Sequence, residues 1–298
     1  MEMRITELFD RGEFVVTAEV GPPKGCHLDH VLYEAEEYLQ DVTAINVTEC
    51  QSSMMRIGSL ATCIALKEKG FDPIFQLTCR DRNRIALQSD LLGAAWFGID
   101  NLLLLTGDHT NVSSGDNRQA KPVFDLDSVS LIHTVRQLEQ GVDLGGNELD
   151  GEPPKFAKGA VVSPCSDSVD VQLSKMERKV KAGAEYFQTQ AVFESEKFIR
   201  FMEKAKQFGV PVMLGLIIPK SARMANYMNN NVAGVSVPPE MIEELAADKE
   251  KTAAGITGVE IIARIIRQCR GYCQGVHIMA LGWESKVPEI LKLAGLVK

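Results

Sequence analysis

The chain has 298 residues and carries 40 Asp and Glu against 32 Lys and Arg, a formal net charge of −8. Hydrophobic residues make up 45% and charged residues 24%, which is typical of a globular protein and excludes collagen, disordered tails and disulfide scaffolds. The acidic balance argues against a dedicated nucleic-acid binder, which needs a basic stripe, but is compatible with an anionic small ligand. The length allows two domains or one α/β barrel.

The cysteines and the N-terminus indicate a cytoplasmic protein. Seven cysteines form an odd set without the spacing of a disulfide framework, as expected where thiols stay reduced. Cys269 and Cys273 would share one helix face, but no further ligands are evident beside them, so we predict no metal site. The charged N-terminus lacks the apolar region of a signal peptide, and no stretch reaches the ~20 apolar residues of a membrane helix.

Short apolar runs alternate with segments of helical periodicity along the whole chain. Some runs, such as residues 102–105 and 212–218, are almost entirely apolar, which is typical of parallel strands buried on both faces. We predict strands over residues 14–19, 44–48, 73–78, 101–106, 159–163, 186–191, 211–218 and 275–281. The predicted helices span residues 30–39, 59–69, 84–97, 126–140, 169–182, 195–208, 221–229, 256–270 and 286–296.

Eight strand–helix units without an internal linker are the number found in a TIM barrel, whose catalytic residues lie at the carboxyl ends of the strands. We therefore predict one α/β domain over residues 1–298, a (β/α)8 barrel, with a doubly wound parallel sheet as the main alternative. The Gly- and Pro-rich stretch 141–154 is too short for a domain linker. We interpret it as an excursion, ordered or mobile, before the fifth strand.

Two acidic residues at predicted strand ends are candidates for catalysis. Glu19 ends the first strand before the rigid turn VGPP, and Asp108 follows the apolar fourth strand and Gly107, which lets a ligand approach the backbone. Both would face the same barrel mouth, where a partly desolvated carboxyl group keeps its proton to higher pH, as a general acid must. Other strand-end candidates are Thr48, residues 78–81, Thr106, Ser163, Gln190, Lys220 and Gly282.

Amides and histidines are the next polar candidates. The amide of Gln190, at the end of the sixth strand, can read the donor and acceptor edge of a heterocycle, and Gln188 should point to the same side, deeper in the barrel. We interpret His109 as a surface loop residue and His277 as a hydrogen-bonded interior residue. No GxGxxG, Walker, Gly-x-Ser-x-Gly or His-Glu-x-x-His motif occurs, so the corresponding chemistries have no support.

Motifs on successive predicted strands make the chain similar to a known family. The segment TAEVGPP at residues 17–23 resembles the opening E-x-x-P-P strand of the methylenetetrahydrofolate reductase family, in its bacterial form with one catalytic barrel. Each motif is short, but their common order along nearly the whole chain is a specific signal. The later motifs are NVT at residues 46–48, LTC at 77–79, LTGD at 105–108, KVKAGA at 179–184 and TQ at 189–190.

The resemblance implies a flavin-dependent barrel that reduces 5,10-methylenetetrahydrofolate to 5-methyltetrahydrofolate in one-carbon metabolism. By resemblance, Glu19 is the acid that opens the folate ring, Asp108 lies beside the flavin and the pterin, and Gln190 hydrogen-bonds the pterin. FAD is the usual cofactor of the family. The residues that the resemblance assigns to the flavin are Thr48, Gln76, Thr106, Gly107, Asp108, Ser163 and Lys179.

Departures from the family pattern concern the flavin's adenylate half and the electron donor. The sequence VSPC at residues 162–165 replaces a Tyr-Pro pair, which leaves FMN as an alternative to FAD. Residues 219–223 lack the family's usual aromatic, and GW at 282–283 replaces an Asn-Arg pair. The chain resembles variants that work beside an iron–sulfur or zinc partner subunit. The expected donor is therefore NAD(P)H or such a subunit, in an oligomer or hetero-complex.

The alternative hypothesis is a pterin-binding barrel without redox activity, either a methyl-transfer component or a scaffold subunit. Asp108 and Gln190 would serve such a protein equally well. Glu19 discriminates between the two hypotheses, because a proton donor is needed to open the folate ring but not to hold a methylated pterin.

Overall fold

The strands form a closed barrel. The computed structural model describes residues 3–111, 117, 119–232 and 234–297. In this part of the chain eight parallel strands pair in chain order, and the last pairs with the first, which confirms the predicted α/β barrel and excludes the doubly wound sheet. The strands are β1 (Val15–Val20), β2 (Ala44–Val47), β3 (Pro73–Thr78), β4 (Asn101–Leu105), β5 (Ala157–Val162), β6 (Tyr186–Ala191), β7 (Val212–Ile217) and β8 (Gly275–Met279).

Helices surround the barrel and cover the outward faces of its strands. Within the described ranges, none of them is long and apolar enough to cross a membrane. The helices are α1 (Ile5–Asp10), α2 (Asp29–Tyr38), α3 (Ser59–Glu68), α4 (Arg84–Trp96), α5 (Ser128–Glu139), α6 (Val169–Ala182), α7 (Ser195–Ala205), α8 (Ala222–Asn231), α9 (Pro239–Ala247), α10 (Lys249–Ala253), α11 (Ile256–Cys269) and α12 (Val287–Ala294).

The predicted elements differ from the structure in three helices and several ends. Helices α1, α9 and α10 were not predicted, because they are short and stand outside the strand–helix alternation. The predicted strand 275–281 is too long, since the positive φ values of Leu281 (54°) and Gly282 (84°) are incompatible with extended backbone. Strand β5 begins at Ala157, two residues before its predicted start at residue 159.

The excursion at residues 141–154 has local structure of its own. Val142 and Glu148 form an isolated antiparallel bridge. Between them, Asp143 Oδ1 accepts the N–H groups of Gly145 at 2.7 Å and Asn147 at 2.8 Å. The main-chain N–H of Leu144 donates to Gln88 Oε1 on α4 at 2.8 Å. These bonds tie the excursion to itself and to the outside of the barrel.

The amino-terminal half of the barrel interior is apolar and closed at its end by α1. Ile5, Leu8 and Phe9 of this helix pack against inward side chains of the strands, and the N–H of Ile5 donates to Asn101 Oδ1 at 2.9 Å. The alternate strand residues belong to a second core under the outer helices, as the two-residue period of a strand requires. The inward side chains at this level are Val15, Ala44, Ile74, Leu103, Ala157, Tyr186 and Met213.

Tyr186 occupies the space that a glycine leaves on the neighbouring strand. Its ring is fully buried, and its hydroxyl donates to the main-chain oxygen of Leu102 at 2.8 Å. A Cβ at Gly159 would lie 2.4 Å from Cζ of Tyr186 and 2.6 Å from that same Leu102 oxygen. A side chain larger than glycine therefore has no room at position 159.

We predict that Gly159→Ala destabilises the barrel, because the added methyl must displace Tyr186 or the backbone of β4. The free energy of unfolding should fall by about 1–3 kcal/mol, the usual cost of overpacking. The measurement is urea unfolding beside the control Gly271→Ala, whose added methyl meets no atom within 4 Å. Equal unfolding midpoints for the two variants would contradict this packing.

Candidate functional site

A polar pocket opens at the carboxyl ends of the strands. Six of the nine residues to which the resemblance gives a role line it, although they come from five different strands or the loops that follow them. The six are Glu19, Thr48, Gln76, Gly107, Asp108 and Gln190. Closure of the barrel brings these distant positions to one mouth. The carboxyl ends of the strands are where TIM-barrel enzymes have their active sites.

Glu19 is a largely buried acid at this mouth. Its side chain is 10% exposed, and its Oε2 accepts a hydrogen bond from Gln76 Nε2 at 3.2 Å. The Nε2 atom of His277 lies 3.6 Å from the same oxygen. The β1–β8 pairing sets this approach, because it places Thr17 beside His277 and Glu19 beside Met279. Glu19 is therefore held by two neighbours while one face of its carboxyl group points into the pocket.

A hydrogen-bonded layer lies directly beneath Glu19. Asn46 and Gln188 exchange two side-chain bonds, at 2.9 and 3.1 Å, and Gln188 Nε2 also lies 3.5 Å from Thr17 Oγ1. Thr17 Oγ1 is 2.9 Å from His277 Nδ1. The Thr17 hydroxyl can donate to Nδ1 or accept from it. When Nδ1 accepts, a neutral His277 carries its proton on Nε2, which faces Glu19.

Sequence reasoning underestimated His277 and missed Glu49. His277 is an interior residue with a hydrogen bond, as interpreted, but it also lines the pocket beside Glu19. Glu49 is buried after β2, where its Oε2 accepts the N–H of Thr78 at 2.6 Å and its Oε1 pairs with Arg82. The signal available was an acid directly after a predicted strand, the same signal that singled out Glu19.

Two hydroxyl groups at the mouth have no partner among the described residues. Thr48 Oγ1 and Thr78 Oγ1 are buried, on the adjacent strand ends of β2 and β3, and neither makes a hydrogen bond. A buried hydroxyl without a partner loses about 1–3 kcal/mol of hydrogen-bond free energy. Such atoms beside an open pocket are suited to a bound polar ligand.

Gly107 and Asp108 form the opposite wall of the pocket. Gly107 has φ of 85°, and a Cβ there would lie 3.0 Å from Cβ of Arg80 and 3.2 Å from Cβ of Thr78. Glycine is thus required both for its backbone conformation and for the close approach of these side chains. Asp108 follows as an exposed carboxylate at the rim, while Gln190 is half-buried at the end of β6.

Three residues that the resemblance assigned to a cofactor do not line this pocket. The hydroxyl of Thr106 accepts the N–H of Ser128 at 3.0 Å, at the start of α5. The N–H of Ser163 donates to Gln172 Oε1 at 3.3 Å. Lys179 lies on α6, where its Nζ donates to the main-chain oxygen of Val161 at 2.7 Å. Their assignment to a cofactor stays a prediction, and each has a structural partner.

Three further candidates, His109, Cys269 and Cys273, do not line the pocket. His109 is an exposed loop residue that stacks on Phe124, with ring centroids 5.9 Å apart. Cys269 and Cys273 are buried thiols, and burial raises the pKa of Cys273 to about 12. Over residues 3–111, 117, 119–232 and 234–297, no three His, Cys, Asp or Glu side chains are grouped to hold a metal ion.

Sequence comparison finds one family and several distant relatives. The profile of the methylenetetrahydrofolate reductase family matches residues 4–295. Methylenetetrahydrofolate reductase 2 of Schizosaccharomyces pombe is 28% identical over 74% of this chain and 35% of its own length. The probable methylenetetrahydrofolate reductase (NADPH) of Caenorhabditis elegans is 24% identical over 99% of this chain and 44% of its own length. The chain thus spans less than half of these relatives.

A bacterial relative and two solved structures extend the comparison. The 5,10-methylenetetrahydrofolate reductase of Salmonella typhimurium is 25% identical over 73% of this chain and 67% of its own length. A Clostridium thermocellum protein that binds two copies of 5-methyl-5,6,7,8-tetrahydrofolic acid superposes with a TM-score of 0.65 over 98% of both chains, at 14% identity. A 2,3-dimethylmalate lyase gives 0.52 at 11% identity, over 99% of this chain and 85% of its own. At these low identities, the two structural similarities show a shared fold and nothing further.

The environment of Lys179 predicts stability that rises with pH. Burial, with a smaller effect of Lys175, lowers the pKa of Lys179 from 10.5 to about 8. Between these pH values the amine is neutral in the folded chain and protonated in the unfolded chain. Unfolding then takes up a proton, so the free energy of unfolding increases as the pH rises through this window.

The variant Lys179→Met should lose this part of the pH dependence, because it has no amine to titrate. Urea unfolding at pH values below, within and above the window measures the slope. The control is Lys181→Met, an exposed lysine of the same helix, which should keep the slope of the unmodified chain. An unchanged slope in Lys179→Met would contradict the burial of this amine.

Proposed function

The chain belongs to the methylenetetrahydrofolate reductase family, and on this premise we propose that it is a flavin-dependent enzyme that reduces 5,10-methylenetetrahydrofolate to 5-methyltetrahydrofolate. The observation that carries the proposal is Glu19, a carboxyl group withdrawn from water at the barrel mouth and held by Gln76 and His277. A barrel that merely held a methylated pterin would need no proton donor at this position.

The pocket has the polar groups that a flavin ring requires. An isoalloxazine edge carries carbonyl oxygens, ring nitrogens and an N–H group, so its partners must be able both to donate and to accept. The buried, unpartnered hydroxyls of Thr48 and Thr78 meet this requirement, as does the amide of Gln76. Gly107 lines the same pocket and lets Arg80 and Thr78 pack against its backbone. These four residues would hold the flavin, which is FAD by the family's norm with FMN as the alternative.

When bound, the flavin supplies the hydride that converts the one-carbon unit into a methyl group. The folate must first become a better hydride acceptor, and a cation is the better acceptor. Glu19 donates a proton to one of the two ring nitrogens that flank the methylene carbon. The bond between that nitrogen and the carbon breaks, which leaves an iminium cation on the other nitrogen. Hydride addition to its carbon then gives the methyl group.

The neighbours of Glu19 assist this proton transfer. His277 Nε2 lies 3.6 Å from Oε2 of Glu19, so an N–H group on this nitrogen can stabilise the carboxylate that forms. The carboxylate of Asp108, on the opposite wall, stabilises the iminium cation electrostatically. Gln190 offers its amide to the donor and acceptor edge of the pterin. His277 and Asp108 therefore favour the charges that form during the reaction.

The segments after β7 and β8 contain the residues that concern the choice of electron donor. Lys220 Nζ lies 5.0 Å from the centroid of the Trp283 ring and donates to the main-chain oxygen of Leu281. Both residues lie in segments that depart from the family pattern. Lys220 belongs to residues 219–223, which lack the usual aromatic, and Trp283 belongs to the GW pair that replaces Asn-Arg. We include NAD(P)H and a redox partner subunit in the proposal as the two candidate donors. The rates of flavin reduction in the isolated chain distinguish them.

We predict that Glu19→Gln keeps the flavin and loses folate reduction. Glutamine preserves the size of the side chain and its bond with residue 76 but has no proton to give, and general acid catalysis contributes ~10²–10⁴-fold. The measurement is steady-state reduction of 5,10-methylenetetrahydrofolate with reduced viologen as donor, together with the flavin absorbance of the purified variant.

The matched control is Glu37→Gln, an exposed residue on α2, which should keep the rate of the unmodified chain. Retention of more than about a tenth of the rate by Glu19→Gln would show that Glu19 is not the acid. A colourless protein that takes up neither FAD nor FMN would instead support the alternative of a pterin-binding barrel without redox activity.

A further inference from the structure

Helix α4 exposes an apolar stripe on its outer face. Ile85 is 74% exposed, Leu92 39% and Trp96 84%, and Phe97, directly after the helix, is 49% exposed. With about 3.6 residues per turn, positions 85, 89, 92 and 96 fall within an arc of about 60°. The helix carries two charged residues, Arg84 and Asp90, and each is paired with an opposite charge, on Asp125 and Arg82 respectively. An outward helix face without free charge is unusual at a protein surface.

The stripe stands apart from other exposed apolar side chains. Elsewhere in the described ranges, large exposed apolar residues are scattered over several elements, such as Tyr33 on α2, Tyr227 on α8 and Leu293 on α12. Single residues of this kind are normal on a protein surface and need no explanation. Three large apolar side chains on one helix face, with Phe97 directly after the helix, form a local apolar cluster.

The spacing of the stripe is the same in both directions. Positions 85, 89, 92 and 96 are separated by four, three and four residues. This spacing is the same when it is read from either end of the helix. When two copies of the helix cross antiparallel about a two-fold axis, Ile85 of one copy faces Trp96 of the other, and Ser89 faces Leu92. An isologous interface requires this self-matching of one surface, whereas an unrelated partner does not.

The size of the patch also suits a second copy. With roughly 150–250 Å² for each large aromatic side chain, the four exposed residues offer on the order of 450 Å² of apolar surface. A standard interface buries about 800 Å² on each partner, of which roughly 56–65% is apolar. The stripe therefore supplies about the apolar area that one side of such an interface needs.

We propose that the chain forms a two-fold dimer through the outer faces of its α4 helices, in the antiparallel register that opposes Ile85 and Trp96. The pairing leaves both barrel mouths free, because α4 lies on the outside of the barrel after β3. This dimer does not depend on the proposed chemistry at the barrel mouth.

The first test measures the mass of the purified chain by sedimentation over a range of concentrations. The unmodified chain should be a dimer, and Trp96→Glu should be a monomer, since it opposes a carboxylate to Ile85 of the second copy. The control Tyr272→Glu changes another exposed aromatic, between α11 and β8, and should leave the dimer intact. A monomeric unmodified chain, or a dimer that survives Trp96→Glu, overturns the proposal.

The second test examines the register. The double variant Ile85→Lys with Trp96→Glu should associate more tightly than either single variant, because only there does each lysine meet a glutamate of the second copy. Within one chain the two positions are about 16 Å apart along the helix, so they cannot pair there. A double variant that associates no more tightly than the single variants, while its circular dichroism matches the unmodified chain, overturns the antiparallel pairing.

Discussion

The structure depends on a hydrogen-bonded layer across the middle of the barrel. Thr17, Asn46, Gln188 and His277 are buried polar side chains from four strands, and each must find partners among the others because unpaired polar groups are costly to bury. They do so through the reciprocal Asn46–Gln188 pair and the Gln188–Thr17–His277 chain. Below this layer the interior is apolar and closed by α1, and above it the polar pocket begins.

This layer explains why the mouth can hold a withdrawn acid. Glu19 stands one inward position above Thr17, so its carboxyl group rests on the polar layer rather than on the apolar floor. His277 joins the two levels, with Nδ1 on Thr17 and Nε2 toward Glu19. Glu49 fixes the loops after β2 and β3 beside them. The unpartnered hydroxyls of Thr48 and Thr78 then mark where a ligand completes the hydrogen bonding.

Local sequence patterns predicted the barrel and most of its mouth. Apolar β-branched runs indicated the strands, and their polar ends indicated Glu19, Asp108 and Gln190. The pairing of His277 with Glu19 was not predictable, because it follows from the register of β8 against β1, which exists only once the barrel closes. The short α1 lacks a long periodic pattern. The partners of Thr106 and Lys179, at a helix start and a strand carbonyl, likewise depend on packing between elements.

The central claim is that this mouth transfers a hydride to a folate after a proton from Glu19. The direct measurement is anaerobic: the flavin of the isolated chain is photoreduced and mixed with 5,10-methylenetetrahydrofolate, and its absorbance is followed. The account predicts that the oxidised flavin band returns as 5-methyltetrahydrofolate forms in equal amount. A flavin that stays reduced in the presence of excess folate, with no methyl product, would contradict it.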